Sequence, residues 1–104
     1  MSNYEITLEA KKDLKNIARY TDDTWGRNQT RAYERKLIAG FDKIGRGNFV
    51  ERKFKKAGPD IFLMHCEHHF IFYLRRKSSN PVIFAVLHEH MDLINQIKLR
   101  LKNG

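Results

Sequence analysis

Apolar and polar positions change their period twice along this chain of 104 residues. Tyr4, Ile6 and Leu8 alternate with Glu5 and Thr7, the period of two that predicts a short strand over residues 4–8. From Leu8 the period lengthens. Ala10, Leu14, Ile17, Ala18 and Thr21 fall on one face of a helix over residues 8–24, while Lys11, Lys12, Lys15 and Arg19 fall mostly elsewhere. Thr7 stands where an N-cap belongs, Glu9 suits the positive end of the helix dipole, and Gly26 after Trp25 is placed for a C-terminal cap. A second helix over residues 27–44 follows with almost no linker. Tyr33, Leu37, Phe41 and Ile44 recur along it, and Gly45 and Gly47 end it. So short a join predicts an antiparallel αα-hairpin. Gly40, inside the second helix, costs about 1 kcal/mol relative to alanine, and is expected where the first helix passes close by.

The second half returns to strand-like runs. Residues 51–54 read as a short strand, and Ala57-Gly58-Pro59-Asp60 is a turn by composition. Runs at 61–66 and 69–75 predict a hairpin reversing near Glu67-His68. After the turn Ser78-Ser79-Asn80-Pro81, the continuous apolar run 82–88 predicts a strand buried on both faces. A last helix is expected over residues 91–102, with Ile94, Ile97 and Leu101 on one face and Lys98, Arg100 and Lys102 away from it. The order is β-α-α-β-β-β-α. It implies one α+β domain over residues 1–104: an N-terminal strand, a two-helix antiparallel hairpin packed on a small, mainly antiparallel four-stranded sheet, and a C-terminal helix.

Composition narrows the class. Apolar residues at 41% with charged residues at 31% describe a globular chain, not a disordered one. The net charge of +8 favours a polyanionic partner: nucleic acid, a phosphate-rich surface or an acidic protein segment. Cys66, the single cysteine, excludes an internal disulfide and suits a reducing compartment. No basic segment and apolar run open the chain at Met1, and no stretch approaches the roughly 20 apolar residues of a membrane span; a cytoplasmic location is expected. The five histidines, His65, His68, His69, His88 and His90, lack zinc spacing, so no metal and no cofactor are expected.

Several stretches together resemble the ParE branch of the RelE/ParE toxin superfamily, over most of the chain. Leu8, Ala10, Asp13-Leu14, Ile17 and Tyr20 look like that family's first helix. Trp25-Gly26 with Gln29, Tyr33 and Leu37 look like its junction and second helix. His69-Phe70-Ile71-Phe72-Tyr73 resembles its strand ending in an aromatic pair, and Leu87-His88 followed by Met91-Asp92 resembles its signature after the last strand. The chain departs from the family's usual turn after the second helix, where it reads Gly45-Arg46-Gly47-Asn48. Its stretch Arg52-Lys53-Phe54-Lys55-Lys56 is unusually basic.

The resemblance implies a toxin that inhibits DNA gyrase by binding, with no chemistry of its own, and that a cognate acidic antitoxin neutralises in a hetero-oligomer. The residues supply candidate surfaces. Arg52, Lys53, Lys55 and Lys56 with Arg75-Arg76-Lys77 are expected to form one basic patch on one side of the sheet, which with His88 would contact the target. Met91, Ile94, Ile97 and Leu101 on the last helix would pack as core, receive the antitoxin, or do both, with the antitoxin covering or displacing the helix. The RelE branch implies the alternative, ribosome-dependent cleavage of messenger RNA. That chemistry needs a base, an acid and cations at one phosphate, roles for which Lys53, Arg75, His88 and His90 are the candidates.

Overall fold

The computed structural model describes residues 3–103. Met1, Ser2 and Gly104 lie outside the described residues, and with them the start of the segment expected to carry no targeting signal. The elements run β1 (Glu5–Ile6), α1 (Leu8–Trp25), α2 (Arg27–Arg46), β2 (Arg52–Lys53), β3 (Ile61–Cys66), β4 (His69–Leu74), β5 (Val82–His88) and α3 (Leu93–Asn103). The expected α+β order is present, with one difference in count. β1 pairs parallel with β5, so the sheet has five strands in the order β1-β5-β4-β3-β2, not four. The other pairings are antiparallel.

The caps explain the boundaries. Thr7 takes an extended backbone and its side chain accepts the Ala10 N–H at 3.2 Å, so β1 stops at Ile6 and Leu8 opens α1. Gly26, at φ +91°, both closes α1 and opens α2, a conformation that disfavours a β-carbon. α2 runs through Gly45 to Arg46 and ends at Gly47 in the left-handed region, two residues later than expected. α3 starts at Leu93, not at residue 91. The Asp92 carbonyl accepts the first helical N–H, from Gln96 at 3.0 Å, and its carboxylate faces the Asn95 N–H at 3.5 Å. β2 is shorter than residues 51–54, and β4 ends one residue before Arg75.

Both faces of the sheet are covered. Ala10 of α1 and Leu37, Phe41 and Ile44 of α2 pack on Phe62, Ile71, Tyr73, Ile83 and Val86. On the other face Ile97 of α3 lies fully buried against Ile61, Leu63, Phe72, Phe84, Ala85 and Leu87. Strand alternation sorts the two sets, and β5 is buried on both faces as its unbroken apolar run predicts. Burying a side chain the size of Ile97 stabilises by about 2 kcal/mol, which fixes α3 as core. The Gly40 expectation needs correction: a β-carbon there would sit 3.0 Å from Ile71 Cδ1 and 3.6 Å from Met64 Sδ. The sheet, not α1, requires the glycine.

One irregularity in the sheet decides which groups of β5 face its outer edge. Phe72 pairs with Ala85 and Tyr73 with Ile83, so Phe84 stands unpaired in a β-bulge. Before the bulge, the Ile83 carbonyl faces outward and accepts the Thr7 N–H at 2.9 Å. Beyond it, the outward row passes to Phe84, Val86 and His88.

Candidate interaction site

β1 is only two residues long, so it covers β5 only at Val82 and Ile83. Past that point two side chains take over the outer edge of β5. The Asp13 carboxylate accepts the Val86 N–H at 2.9 Å, and Arg100 of α3 donates to the Phe84 carbonyl at 3.1 Å. The two ends of this clamp also bind each other, Arg100 donating to both carboxylate oxygens of Asp13, one of them at 3.2 Å. Asp13 and Arg100 are largely buried, with side chains 12% and 16% exposed, so this pair ties α1 to α3 around the strand edge. Arg100 was expected to point away with Lys98 and Lys102. It turns inward because buried edge groups of β5 require partners.

The rest of the edge is open. Val86 and His88 point the same way as the clamped groups. The Val86 carbonyl and the His88 N–H have no backbone partner among the described residues. They face a groove of about 700 Å³ between the helical hairpin and the end of β5, lined also by Ile17, Tyr33 and Lys36. Tyr20 and Trp25 stand on its α1 wall and Met91 on its far rim, and all three are exposed. Large aromatics with an apolar body and a polar edge, beside unpaired backbone groups, suit an extended or helical peptide.

Histidines and Glu67 form the groove's end wall. The hairpin reverses at Glu67-His68, with Glu67 at φ +55°, and Lys36 of α2 holds the Glu67 carboxylate at 2.7 Å. Tyr33 Oη accepts the His68 N–H at 3.1 Å and lies 2.6 Å from His69 Nδ1, a hydrogen bond whose direction follows the His69 tautomer. Burial, and then the neighbouring His88 and His68, push His69 down to about 4. Burial also pushes the Tyr33 hydroxyl up. His88 stacks edge-on against His69 and its Nδ1 accepts the His90 N–H at 3.2 Å, holding the corner where β5 ends. Cys66 packs beside α2 with its thiol pushed up by burial, the behaviour of a packing thiol.

The single basic patch expected from Arg52 to Lys77 does not form. Arg52, Lys53, Lys55 and Lys56 lie along the β2 edge and the turn after it. Arg75 is half-buried on the other face, bound to Glu51 and donating to the Ile44 carbonyl at 3.2 Å; Arg76 pairs with Glu5 at 3.0 Å. Nor does the set considered for RNA cleavage converge. Leu74, beside Arg75, pairs with Val82, whereas His88 ends the same strand six residues on, roughly 20 Å away at 3.3 Å per residue. Lys53 borders the Arg75 end, and His90 lies beyond His88. Of the positions expected to meet an antitoxin, Ile97 is core, Leu101 and Ile94 are half-buried, and Met91 alone is exposed. Among the described residues no cluster of three or more histidine, cysteine or acidic side chains is placed to hold a metal ion, and no helix is long and apolar enough to cross a membrane.

Asp13, Tyr20 and Trp25, which help build the groove, stood out in sequence only as parts of family-like stretches, whereas Tyr33 read as part of the α2 face and His69 as one of five histidines. For Tyr20 and Trp25 the available signal was a large aromatic at helix positions off the buried face.

A two-helix hairpin on a five-stranded sheet is a fold that this chain shares with a solved structure. A chain of the "Chromosomal ParDE TA system from P. aeruginosa" superposes with a TM-score of 0.70 over 85% of this chain and 96% of that one, at 14% identity. In sequence, the family model described as "ParE toxin of type II toxin-antitoxin system, parDE" matches residues 4–93. "Toxin ParE" of Escherichia coli is 37% identical over 102 residues, 98% of this chain and 99% of that protein. This chain belongs to the ParE toxin family of type II toxin–antitoxin systems.

Proposed function

We propose that this toxin arrests growth in the cytoplasm by binding DNA gyrase, without catalysis of its own, and that a cognate acidic antitoxin silences it by seating a segment in the groove beside β5. The observation that carries the antitoxin half is the open stretch from the Val86 carbonyl to the His88 N–H, set among exposed Tyr20, Trp25 and Met91. An incoming strand completes those backbone bonds, its apolar side chains fill the groove, and its acidic ones meet a surface of net charge +8. The antitoxin contact therefore moves from the buried side of α3 to this groove, keeping Met91 and losing Ile97.

The gyrase half rests on the resemblance to the ParE branch. The ribonuclease alternative on the same fold loses support because Arg75 and His88 stand at opposite ends of β5, too far apart to act on one phosphate. Two measurements test the reading. Purified toxin inhibits gyrase supercoiling and equimolar antitoxin relieves it; unaffected supercoiling at a large molar excess sinks the gyrase assignment. On antitoxin binding the His88 amide becomes protected from hydrogen exchange; an unchanged His88 amide in a formed complex sinks the groove assignment.

A further inference from the structure

Outside the groove, one dense run of unpaired positive charge lies along the other edge of the sheet, beside the scattered unpaired cations of α1 and α2. Arg52, Lys53, Lys55 and Lys56 are all exposed, and none has an ion-pair partner among the described residues, whereas Arg27, Lys36, Arg75, Arg76 and Arg100 each have one. Arg52 lies over the Phe70 ring, 5.9 Å from its centre, on the α3 face. A shallow cleft of about 520 Å³ separates these cations from the start of α3, where Ile94 is part of its wall. Ile94, Lys98 and Lys102 follow at steps of four along α3 and so share one face, which extends the positive track by roughly 12 Å at 1.5 Å per residue. Lys98 and Lys102 are exposed and also without an ion-pair partner among the described residues.

Few acids oppose this track. α3 contains none. Glu51 is taken by Arg75, and the Asp92 carboxylate accepts the Asn95 side-chain amide at 2.6 Å. Asp60 stands in the turn before β3. The antiparallel register puts the Phe54 N–H on the Ile61 carbonyl at 2.8 Å, which turns the Lys53 N–H outward, away from β3.

From this we infer that the track formed by Arg52, Lys53, Lys55, Lys56, Lys98 and Lys102 binds the phosphate backbone of duplex DNA. The inference rests on the gyrase reading, whose target holds such a duplex. A linear array of lysine point charges with one outward N–H matches an evenly charged backbone without demanding a sequence. Single-stranded nucleic acid is disfavoured because the track offers no exposed ring for stacking: Phe54 packs edge-on against Phe72 at 5.3 Å, and exposed Tyr20 and Trp25 belong to the groove. An acidic protein segment finds its apolar anchors in that groove as well.

The test uses antitoxin-free toxin and a labelled 20-base-pair duplex of mixed sequence (about two helical turns), read by fluorescence anisotropy across a salt series. Wild type binds at low salt. The variant R52Q/K53Q/K55Q/K56Q, with an unchanged circular dichroism spectrum, binds more than tenfold weaker. Its slope of log affinity against log salt falls by about 3.6, at roughly 0.9 per lost phosphate contact. K98Q/K102Q lowers the slope by about 1.8 on the same basis. No duplex binding by wild type, an unchanged slope in the fourfold variant, or equal competition by single-stranded RNA or poly-glutamate overturns the inference. Supercoiling is measured separately, without reference to binding: inhibition with no duplex binding removes the track alone, and duplex binding with no inhibition removes the gyrase reading alone.

Discussion

The two edges of the sheet solve one problem in opposite ways. A strand at an edge presents unpaired backbone groups that invite association with another chain. At the β2 edge the strand is two residues long and carries Arg52 and Lys53, with Lys55 and Lys56 just beyond, so another strand meets like charge and flexible cationic side chains. At the β5 edge the strand is seven residues long, and β1 covers only its first part. There Asp13 and Arg100 satisfy the next groups, and the last ones are left open among aromatics with no charge set directly on the strand. A guarded edge keeps neighbours away. An edge left open inside an apolar groove keeps backbone groups available for pairing. The difference separates an edge guarded by charge from an edge whose last groups stay unpaired among the described residues.

The largest expected effect comes from breaking the clamp that closes the middle of the β5 edge. Asp13→Ala leaves the Val86 N–H without its acceptor and takes from Arg100 its largely buried ion-pair partner, leaving it the Phe84 carbonyl and the half-exposed Glu9 carboxylate. We expect it to lower unfolding free energy by about 3 kcal/mol in urea titration, in the range for a buried pair that loses one member. A loss below about 1 kcal/mol would mean that the clamp does not hold α1 to α3. Next, Trp25→Ala on the open part of the edge should weaken antitoxin binding about tenfold in calorimetry while leaving the midpoint of unfolding in place, as for an exposed aromatic hot spot. Unchanged affinity would place the antitoxin elsewhere.

The guarded edge is sharpened by removing its guard. Arg52→Val with Lys53→Val turns β2 into a bare edge, and concentration-dependent self-association should then appear in sedimentation, where the parent chain shows less. Smaller still is the pH response at the end of the groove. His69 has its pKa lowered from 6.5 to about 4, so between those values the unfolded chain holds a proton that the folded chain does not. The stability tied to the neutral ring is therefore complete above pH 6.5 and is lost as pH falls towards 4. His69→Gln should flatten that part of the stability profile, and an identical profile in the variant would show that His69 does not titrate as described. Smallest of all, Arg76→Ala removes an exposed ion pair with Glu5 and should change stability by less than about 1 kcal/mol.

Much of the fold was legible because its signals are local. The spacing of Tyr33, Leu37, Phe41 and Ile44 is the signature of a helix face, and three of these four are buried. The apolar run Val82–His88 announced a strand covered on both sides, and Glu67-His68 was the reversal point of the hairpin. Errors gathered where partners are distant in sequence. Gly40 was assigned to the wrong neighbour because no pattern along α2 distinguishes the sheet from α1. Arg75 looked like part of a basic surface because its acceptors, Glu51 and the Ile44 carbonyl, are 24 and 31 residues away. Arg100 looked solvent-facing because the group that draws it inward, Asp13, is 87 residues earlier.

What the chain's order of residues determined by itself is the set of elements, their buried faces and the excess of positive charge, since periodicity, caps and composition act within a few residues of each position. Where that charge remains free was decided only by the folded arrangement. Ion pairing depends on which side chains meet, and here it neutralised Arg75, Arg76 and Arg100 while leaving the β2 edge and the outer face of α3 unpaired among the described residues. The open stretch of β5 belongs to the same class of fact. It exists because a two-residue β1 and a bulge at Phe84 leave Val86 and His88 facing outward beyond the last paired strand, and strand registers are settled by packing across the whole sheet.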